Sequence, residues 1–283
     1  MSGHSGPRLA AVIGWPAGHS LSPVLHSYWL KEHGISGAYV PLSVRPKDFK
    51  ECVAALARME FAGASVTVPH KEAAFALSAV HDEDARATGA VNTLVFEDGK
   101  IRGLNTDVRG FAVSLTETFG EEAARAAPTV VLGAGGAARA VVLALARAGA
   151  PAIRVINRTR SRAETLRKIS KKTPLKAFEW GDWAGAFGGA GLLVNATSLG
   201  MTGGPALEIS LDKLPIEAGV ADIVYNPLET NLLHAARQRG HRTMDGLGML
   251  MHQAVPAFAA WFGVEPQVTP ALRAALEKAL VRG

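Results

Sequence analysis

The feature that most constrains the fold is a glycine-rich segment near the middle of the chain. An apolar run typical of a buried strand, Thr129–Leu132, comes first. It is followed by Gly133, Gly135 and Ala138 with the spacing G-x-G-x-x-A. The alanine-rich stretch 136–148 then predicts a helix. Strand, glycine turn and helix in this order predict a unit that binds a dinucleotide.

Each small residue of this segment suits contact with a phosphate. Gly133 permits a tight turn, Gly135 lets the backbone approach a pyrophosphate, and Ala138 lets the helix pack closely on the sheet. The helix N-terminus adds N–H groups and a partial positive charge. The alternative is an ordinary glycine turn in an α/β protein that binds no nucleotide. The predicted pyrophosphate loop consists of Gly133, Ala134, Gly135, Gly136 and Ala137.

The residues after the next predicted strand, Ile153–Ile156, indicate which dinucleotide binds. NAD-binding proteins usually carry an acidic residue there for the ribose 2′-hydroxyl. This chain instead carries Arg158 and Arg162, and a guanidinium group pairs well with a 2′-phosphate. We therefore predict NADP(H) as the cofactor, with both arginines at the phosphate. Asn157 and Thr159 are predicted to donate further hydrogen bonds.

The rest of the chain predicts the α/β class and two domains. Strand-like runs alternate with helical segments through residues 1–107, and an Asp-Gly pair predicts a hairpin at 93–104. A second alternating series, 108–245, predicts a Rossmann-type, doubly wound sheet that binds NADP(H). The segment 246–283 predicts two amphipathic helices, which we expect to complete the first domain.

Composition excludes several classes of protein. The 283 residues carry a formal net charge of +5 and only one cysteine. No apolar run reaches the ~18–20 residues that span a bilayer, and the N-terminus lacks the apolar core of a signal peptide. The histidines show no metal-binding spacing, and no aromatic residue interleaves with the basic segment Arg154–Lys172. We expect a cytoplasmic monomer or homodimer with no metal, membrane or nucleic-acid partner.

Polar motifs at the predicted strand ends follow one another in a characteristic order. They are His19–Pro23, Val66–Lys71, Gly89–Thr93, Asn105–Asp107, Gly133–Ala137, Asn157–Thr159, Asn195–Ser198, Asp245–Leu250 and Gln253. Together they resemble the shikimate dehydrogenases over nearly the whole chain. The chain departs from the family pattern at Ser65 and at Val108-Arg109, and the first departure leaves the proposed catalytic residues unchanged.

The resemblance implies NADPH-dependent reduction of 3-dehydroshikimate to shikimate, a step in the biosynthesis of aromatic amino acids. It makes 1–107 with 246–283 the substrate-binding and catalytic domain. It implies that Lys71 and Asp107 are the catalytic pair, and that Ile223 and Gly246 lie near the nicotinamide. The substrate contacts that it implies are Ser20, Ser22, Thr67, Lys71, Asn92, Asp107, Tyr225 and Gln253.

The residue types suit this chemistry on their own terms. Hydride addition to a ketone builds alkoxide charge, which a lysine such as Lys71 neutralises or protonates. Asp107 can hold that ammonium group and accept a hydrogen bond from a substrate hydroxyl. Ser20 and Ser22, ahead of a predicted helix, can bind a carboxylate. Ordinary interpretations also exist, with Ser22 and Asp107 as helix caps and Lys71 as the solvated start of a helix.

Three other functions stay open from the sequence. A quinate/shikimate dehydrogenase of broader substrate range would use the same motifs. A non-catalytic NADP-binding sensor would keep the fold, although it has no need to retain both Lys71 and Asp107. A protein that binds nucleic acid through its basic segment would show salt-sensitive affinity for DNA.

Overall fold

The computed structural model describes residues 6–170 and 172–282. The chain forms two compact units. One comprises the chain up to Thr106 together with the chain from Gln253 onward, and the other is Asp107–His252. Each unit is built around its own β-sheet and carries helices as well. The predicted α/β class is therefore confirmed.

The first unit alternates strands and short helices over its N-terminal part. In chain order these are β1 (Arg8–Gly14), α1 (Ser22–Glu32), β2 (Gly37–Ser43), a 3-10 turn (Pro46–Asp48), α2 (Phe49–Arg58), β3 (Gly63–Val66), α3 (Lys71–Leu77), β4 (Val80–His81), α4 (Glu83–Thr88), β5 (Thr93–Glu97) and β6 (Lys100–Leu104). The strand order is β2-β1-β3-β5-β6-β4. β1 runs parallel to β2 and β3, whereas β5 runs antiparallel to β3 and β6.

This strand order brings several chain segments to one edge of the first sheet. The ends of β1, β3 and β6 and the beginning of β5 meet there, because Thr93 pairs with both Ser65 and Leu104. The predicted hairpin between β5 and β6 is confirmed. Its turn residues Asp98 and Gly99 have φ values of +50° and +69°, as a two-residue turn of this kind requires.

The second unit has the Rossmann-type topology that the sequence predicts. Its elements are α5 (Asp107–Phe119), β7 (Thr129–Leu132), α6 (Gly136–Arg147), β8 (Ile153–Ile156), α7 (Arg160–Thr165), a 3-10 turn (Leu166–Lys168), β9 (Leu175–Phe178), α8 (Trp183–Phe187), β10 (Leu192–Asn195), β11 (Gly219–Asp222), α9 (Asn231–Gln238) and β12 (Thr243–Met244). The strand order is β12-β11-β10-β7-β8-β9, with every pair parallel. The order reverses between β7 and β10, where doubly wound folds bind their ligands.

Both faces of this second sheet are covered by apolar side chains. Along β7, Val131 packs into a cluster with α5 and α6, whereas Val130 and Leu132 pack into a cluster with α8 and α9. The strand is buried on both sides, which explains its unbroken apolar sequence.

Two helices close the chain, α10 (Leu247–Phe262) and α11 (Pro270–Arg282). The predicted amphipathic character is wrong for α10, because buried side chains such as Met249, Val255 and Trp261 occur around most of its circumference. None of the helices in the described part of the chain is long and apolar enough to cross a membrane.

Candidate active site

Two loops of the first unit are joined at the edge where β1 and β3 end. The backbone N–H of Trp15, after β1, donates to the carbonyl oxygen of Val68, after β3, at 3.0 Å. The first loop leads to Ser20 and Ser22, and the second runs from Thr67 to Lys71. The structure therefore brings four of the predicted substrate-binding residues to one edge of the sheet.

The arrangement of Ser20 and Ser22 at the start of α1 differs from the interpretation of Ser22 as a helix cap. The helix begins at Ser22 itself, and no side chain caps it. The Ser20 hydroxyl oxygen instead accepts the N–H of Ser22 at 3.2 Å. Ser22 is buried and Ser20 is half-buried. Helix capping is therefore the wrong explanation for Ser22.

Lys71 is the first residue of α3, and the structure fixes its backbone from two sides. Its carbonyl oxygen accepts the N–H of Val91 at 2.9 Å. The preceding residue, His70, is buried, and its ring stacks on Phe49 with centroids 4.6 Å apart. His70 Nε2 lies 2.8 Å from the carbonyl oxygen of Val44, and burial lowers the pKa of the ring. Lys71 itself is half-buried rather than fully solvated.

Asn92 and Gln253 meet although they are far apart in the chain. Asn92 Nδ2 donates to Gln253 Oε1 at 3.2 Å and to Thr106 Oγ1 at 2.8 Å. The backbone N–H of Thr106 donates back to Asn92 Oδ1 at 2.8 Å. All three side chains are buried. Two predicted substrate contacts, Asn92 and Gln253, thus form one polar cluster with Thr106. The sequence analysis assigned no role to Thr106, although this residue lies in the motif Asn105–Asp107.

Asp107 follows this cluster directly in the chain and is buried at the first position of α5. α5 begins at Asp107 rather than at the predicted Val108, and the interpretation of Asp107 as a helix cap stays an alternative. Asn105, two residues before Asp107, is held firmly. The Asn105 N–H donates to both carboxylate oxygens of Asp82 at 3.2 Å, and Asn105 Nδ2 donates to the Ala90 carbonyl oxygen at 2.9 Å.

The glycine turn of the second unit has the geometry that a pyrophosphate needs. Gly133 has φ +104°, and a Cβ at this position would lie 3.0 Å from the Ala196 carbonyl oxygen. A Cβ on Gly135 would meet no atom within 4 Å, so this side of the turn is open. α6 begins at Gly136, and Ala138 is buried. The residues present fit a bound dinucleotide.

The basic segment after β8 contains arginines in different surroundings. Arg158 and Arg162 are exposed. Arg160 is exposed as well, and it lies 3.4 Å from Glu164 and 3.9 Å from Glu179. Asn157 Nδ2 donates to the carbonyl oxygen of Thr159 at 2.8 Å, which folds the turn. A role for Asn157 and Thr159 as phosphate donors stays a prediction.

Ile223 and Gly246, both predicted near the nicotinamide, come together at the ends of β11 and β12. The Gly246 N–H donates to the carbonyl oxygen of Val224 at 3.2 Å. A Cβ on Gly246 would overlap the carbonyl group of Ile223, so only glycine allows this approach. Tyr225 is half-buried on the loop that leads to α9.

Comparison with known proteins identifies the family. A model described as the shikimate dehydrogenase substrate binding domain matches residues 12–94, and one described as shikimate / quinate 5-dehydrogenase matches residues 116–199. The chain is 52% identical over 275 residues to the shikimate dehydrogenase (NADP(+)) of Paramagnetospirillum magneticum, covering 97% of this chain and 99% of that one. The chain belongs to the shikimate dehydrogenase family. The resemblance predicted from the polar motifs is thereby confirmed.

Solved structures of the family resemble this chain over almost its full length. The shikimate 5-dehydrogenase of Thermus thermophilus, in complex with NADP(H) and shikimate, has a TM-score of 0.83 and 34% identity, covering 97% of this chain and 99% of that one. The quinate dehydrogenase of Corynebacterium glutamicum, in complex with NAD, has a TM-score of 0.84 and 30% identity, covering 98% and 99%. The solved structures that resemble this chain therefore include one complex with NADP(H) and shikimate and one with NAD.

Proposed function

We propose that this chain catalyses the reversible, NADPH-dependent reduction of 3-dehydroshikimate to shikimate. The observation that carries the proposal is family membership over the whole chain, with 52% identity to an NADP(+) shikimate dehydrogenase. NADP(H) is the cofactor, in keeping with the arginines after β8. The reaction contributes to the biosynthesis of aromatic amino acids in the cytoplasm.

In the proposed mechanism, Lys71 acts on the ketone oxygen of the substrate, and Asp107 acts on Lys71 and on a neighbouring hydroxyl. NADPH supplies the hydride when bound. Lys71 donates a proton to the oxygen as the carbonyl becomes an alcohol, so that hydride and proton together complete the reduction. Asp107 orients the Lys71 ammonium group and accepts a hydrogen bond from a neighbouring hydroxyl of the ring. His70 and Asn105, which lie one and two residues before Lys71 and Asp107, are each held by a hydrogen bond. These contacts support the proposed roles, because they limit where the side chains of Lys71 and Asp107 can reach.

The remaining site residues bind the substrate's polar groups. Ser20 and Ser22 suit its carboxylate, since both lie at the N-terminus of α1, where the helix dipole favours an anion. Thr67 and Tyr225 suit ring hydroxyls. Asn92 and Gln253 do so as well, and their mutual hydrogen bond presents two amides in one place.

The cofactor is proposed to lie along the carboxyl ends of the second sheet. Its pyrophosphate would meet the turn 133–137, and its 2′-phosphate would meet Arg158 and Arg162. The nicotinamide would lie near Ile223 and Gly246. The open side of the turn at Gly135 supports this assignment. Kinetics with NADPH and NADH provide the test, and equal catalytic efficiencies would contradict the assigned role of Arg158.

A second candidate is a quinate/shikimate dehydrogenase of broader range. It is favoured by the family model, which is described as shikimate / quinate 5-dehydrogenase. Oxidation of shikimate and of quinate should be measured side by side with NADP⁺. We expect shikimate to be strongly preferred, and comparable kcat/KM values would establish the broader enzyme.

Replacement of Lys71 tests the catalytic assignment directly. We expect Lys71→Ala to lower kcat by about 10³-fold, as loss of a positioned proton donor does, with only a modest change in KM. Lys47→Ala, at an exposed lysine of the same unit, is the matched control and should keep full activity. Unchanged turnover in Lys71→Ala would exclude the proposed pair. A wild-type chain that binds NADPH without turnover would instead be the non-catalytic sensor.

The domain assignment and the assembly state belong to the same proposal. Substrate binding and catalysis are assigned to 1–107 with 246–283, and NADP(H) binding to 108–245. We expect a monomer or a homodimer, which light scattering after size-exclusion chromatography distinguishes from larger assemblies.

A further inference from the structure

Asp222 ends β11 and is fully buried, with a relative exposure of 0%. Three donors converge on its carboxylate. Asn195 Nδ2 donates to Oδ1 at 2.9 Å, the backbone N–H of Val224 donates to Oδ1 at 3.0 Å, and Thr230 Oγ1 donates to Oδ2 at 2.8 Å. One side chain therefore links the end of β10, the loop after β11 and the start of α9.

Asn195 extends this link through the loop after β10. Its Nδ2 also donates to the carbonyl oxygen of Leu199 at 3.1 Å. Its Oδ1 accepts the backbone N–H of Thr197 at 3.1 Å and the Thr197 hydroxyl at 2.7 Å. The Leu199 N–H donates to Thr197 Oγ1 at 3.0 Å. The loop is thus folded around the side chain that holds Asp222.

The linked loops touch the two glycines assigned to the cofactor. A Cβ on Gly133 would lie 3.0 Å from both the Ala196 carbonyl oxygen and Thr197 Cγ2, so the glycine turn packs on the loop after β10. Gly246 bonds to the carbonyl oxygen of Val224, whose N–H bonds to Asp222. The network of Asp222 therefore underlies the loops after β7, β10, β11 and β12.

The carboxylate of Asp222 has no cation to balance it among the residues that the structure describes. Burial raises its pKa to about 6, although its three hydrogen bonds act in the opposite direction. On the elements packed against it, Glu229 precedes α9 and pairs with Arg237, and Asp245 follows β12 and accepts the N–H of Leu247. A buried, unbalanced carboxylate is unfavourable for folding, which points to a role beyond stability.

We propose that Asp222 is a positioning residue for NADP(H). Its carboxylate fixes the loops at the carboxyl ends of β10 and β11, and through them the glycine turn and the segment Ile223–Tyr225, in the arrangement that binds the cofactor. The inference rests on the proposed function to the extent that NADP(H) is the cofactor.

The first test is the Kd for NADPH of Asp222→Asn, measured from the fluorescence of the bound nucleotide. Asparagine keeps the shape and the Oδ1 acceptor, but it turns a donor toward Thr230 and removes that hydroxyl's acceptor. We expect the Kd to rise about tenfold, the effect of one hydrogen bond to a charged group. Asp212→Asn, at an exposed carboxylate of the same unit, should leave the Kd unchanged. A wild-type Kd in Asp222→Asn would overturn the proposal.

The pH dependence of the Kd for NADPH distinguishes a role of the Asp222 charge in cofactor binding from a purely structural role. The ratio of the Kd of Asp222→Asn to that of the wild type should be about ten at about pH 8 and approach one at about pH 5, because the protonated wild type also presents a donor to Thr230. Titration of the 2′-phosphate occurs in both proteins and cancels in the ratio. A ratio that stays at ten at the lower pH would contradict the role of the charge.

Thr230→Val provides the test if Asp222→Asn fails to fold. It removes one donor to the carboxylate, and we expect a several-fold rise in the Kd for NADPH. An unchanged Kd would overturn the inference. The proposed function is tested separately, in the wild type. A wild-type chain that binds no NADPH refutes it. A wild-type chain that binds NADPH but does not reduce 3-dehydroshikimate refutes the proposed substrate, and the role of Asp222 is then tested by the same Kd measurement.

Discussion

His26 is a polar residue that packs against several aromatic side chains. Its ring is fully buried and stacks on Tyr39, with centroids 4.1 Å apart, beside Phe258 and Trp261. Neither ring nitrogen has a hydrogen-bond partner within the described residues. Burial lowers the pKa of His26 from 6.5 to about 3. The imidazole is therefore neutral in the folded protein and carries two desolvated nitrogen atoms.

This burial makes the stability of the protein depend on pH. Below about pH 6.5 the unfolded chain binds a proton at His26 that the folded chain does not bind until about pH 3. The free energy of unfolding should therefore fall as the pH is lowered through this window, by at most about 1.4 kcal/mol per pH unit from this residue. Urea unfolding of His26→Phe at several pH values measures the effect.

His26→Phe should raise the free energy of unfolding by about 1–3 kcal/mol at neutral pH, because it removes two unpaired polar atoms. It should also flatten the decline below about pH 6.5. His234→Phe, at an exposed histidine, is the control and should change neither quantity. A variant with wild-type stability and a wild-type pH profile would show that the ring nitrogens are satisfied in solution.

Short elements around the candidate site depend on capping more than on their own sequences. α4 has only six residues, and Asp82 caps it by accepting the N–H of Ala85 at 2.6 Å. The same carboxylate accepts the N–H of Asn105, two residues before Asp107. One side chain therefore starts a helix and anchors the segment that leads to a proposed catalytic residue.

We expect Asp82→Ala to lower the free energy of unfolding by about 1–3 kcal/mol, because a cap and a half-buried acceptor are lost together. It should lower kcat as well, since Asp107 loses its anchored neighbour. Asp48→Ala is the matched control, because Asp48 stands at the N-cap of α2 and makes no capping bond. Equal effects of the two substitutions in thermal unfolding and in kinetics would refute the argument.

The prediction of elements from sequence succeeded where apolar runs were bounded by clear turn residues. The strands β7 and β8 were predicted with the bounds that the structure has. The two residues of β4, Val80–His81, carry no periodicity, and the strand exists because they pair with Arg102 and Gly103 of β6. The burial of α10 likewise follows from packing that its own pattern did not predict.

At the scale of the whole molecule, the net charge of +5 does not require a nucleic-acid partner. Two cations in or near the basic segment have local contacts. Arg154 donates to the carbonyl oxygens of Ala186 and Gly188, and Lys176 lies 4.8 Å from the centre of the Phe178 ring. These contacts favour the enzyme over the nucleic-acid alternative.

NADPH should stabilise the protein against unfolding, because it binds the folded state and not the unfolded chain. At about 100 times its Kd it should add about 2.7 kcal/mol to the free energy of unfolding, measured in urea. Hydrogen exchange should slow mainly in Asp107–His252, at the loops after β7 and β8. Shikimate alone serves as the control. Protection by NADPH confined to the residues before Thr106 would contradict the domain assignment.

The sequence alone determined the nucleotide fold, the preference for NADP(H) and the family. These depend on local patterns, since a glycine turn and the basic residues after the next strand fall within about 30 residues of one another. The tertiary structure decided which polar side chains meet. It joined Asn92 to Gln253, placed the Ser20 hydroxyl against the N–H of Ser22 at the start of α1, and brought three donors to Asp222. Such contacts are fixed by packing, because a buried polar group must find a partner wherever the fold brings one.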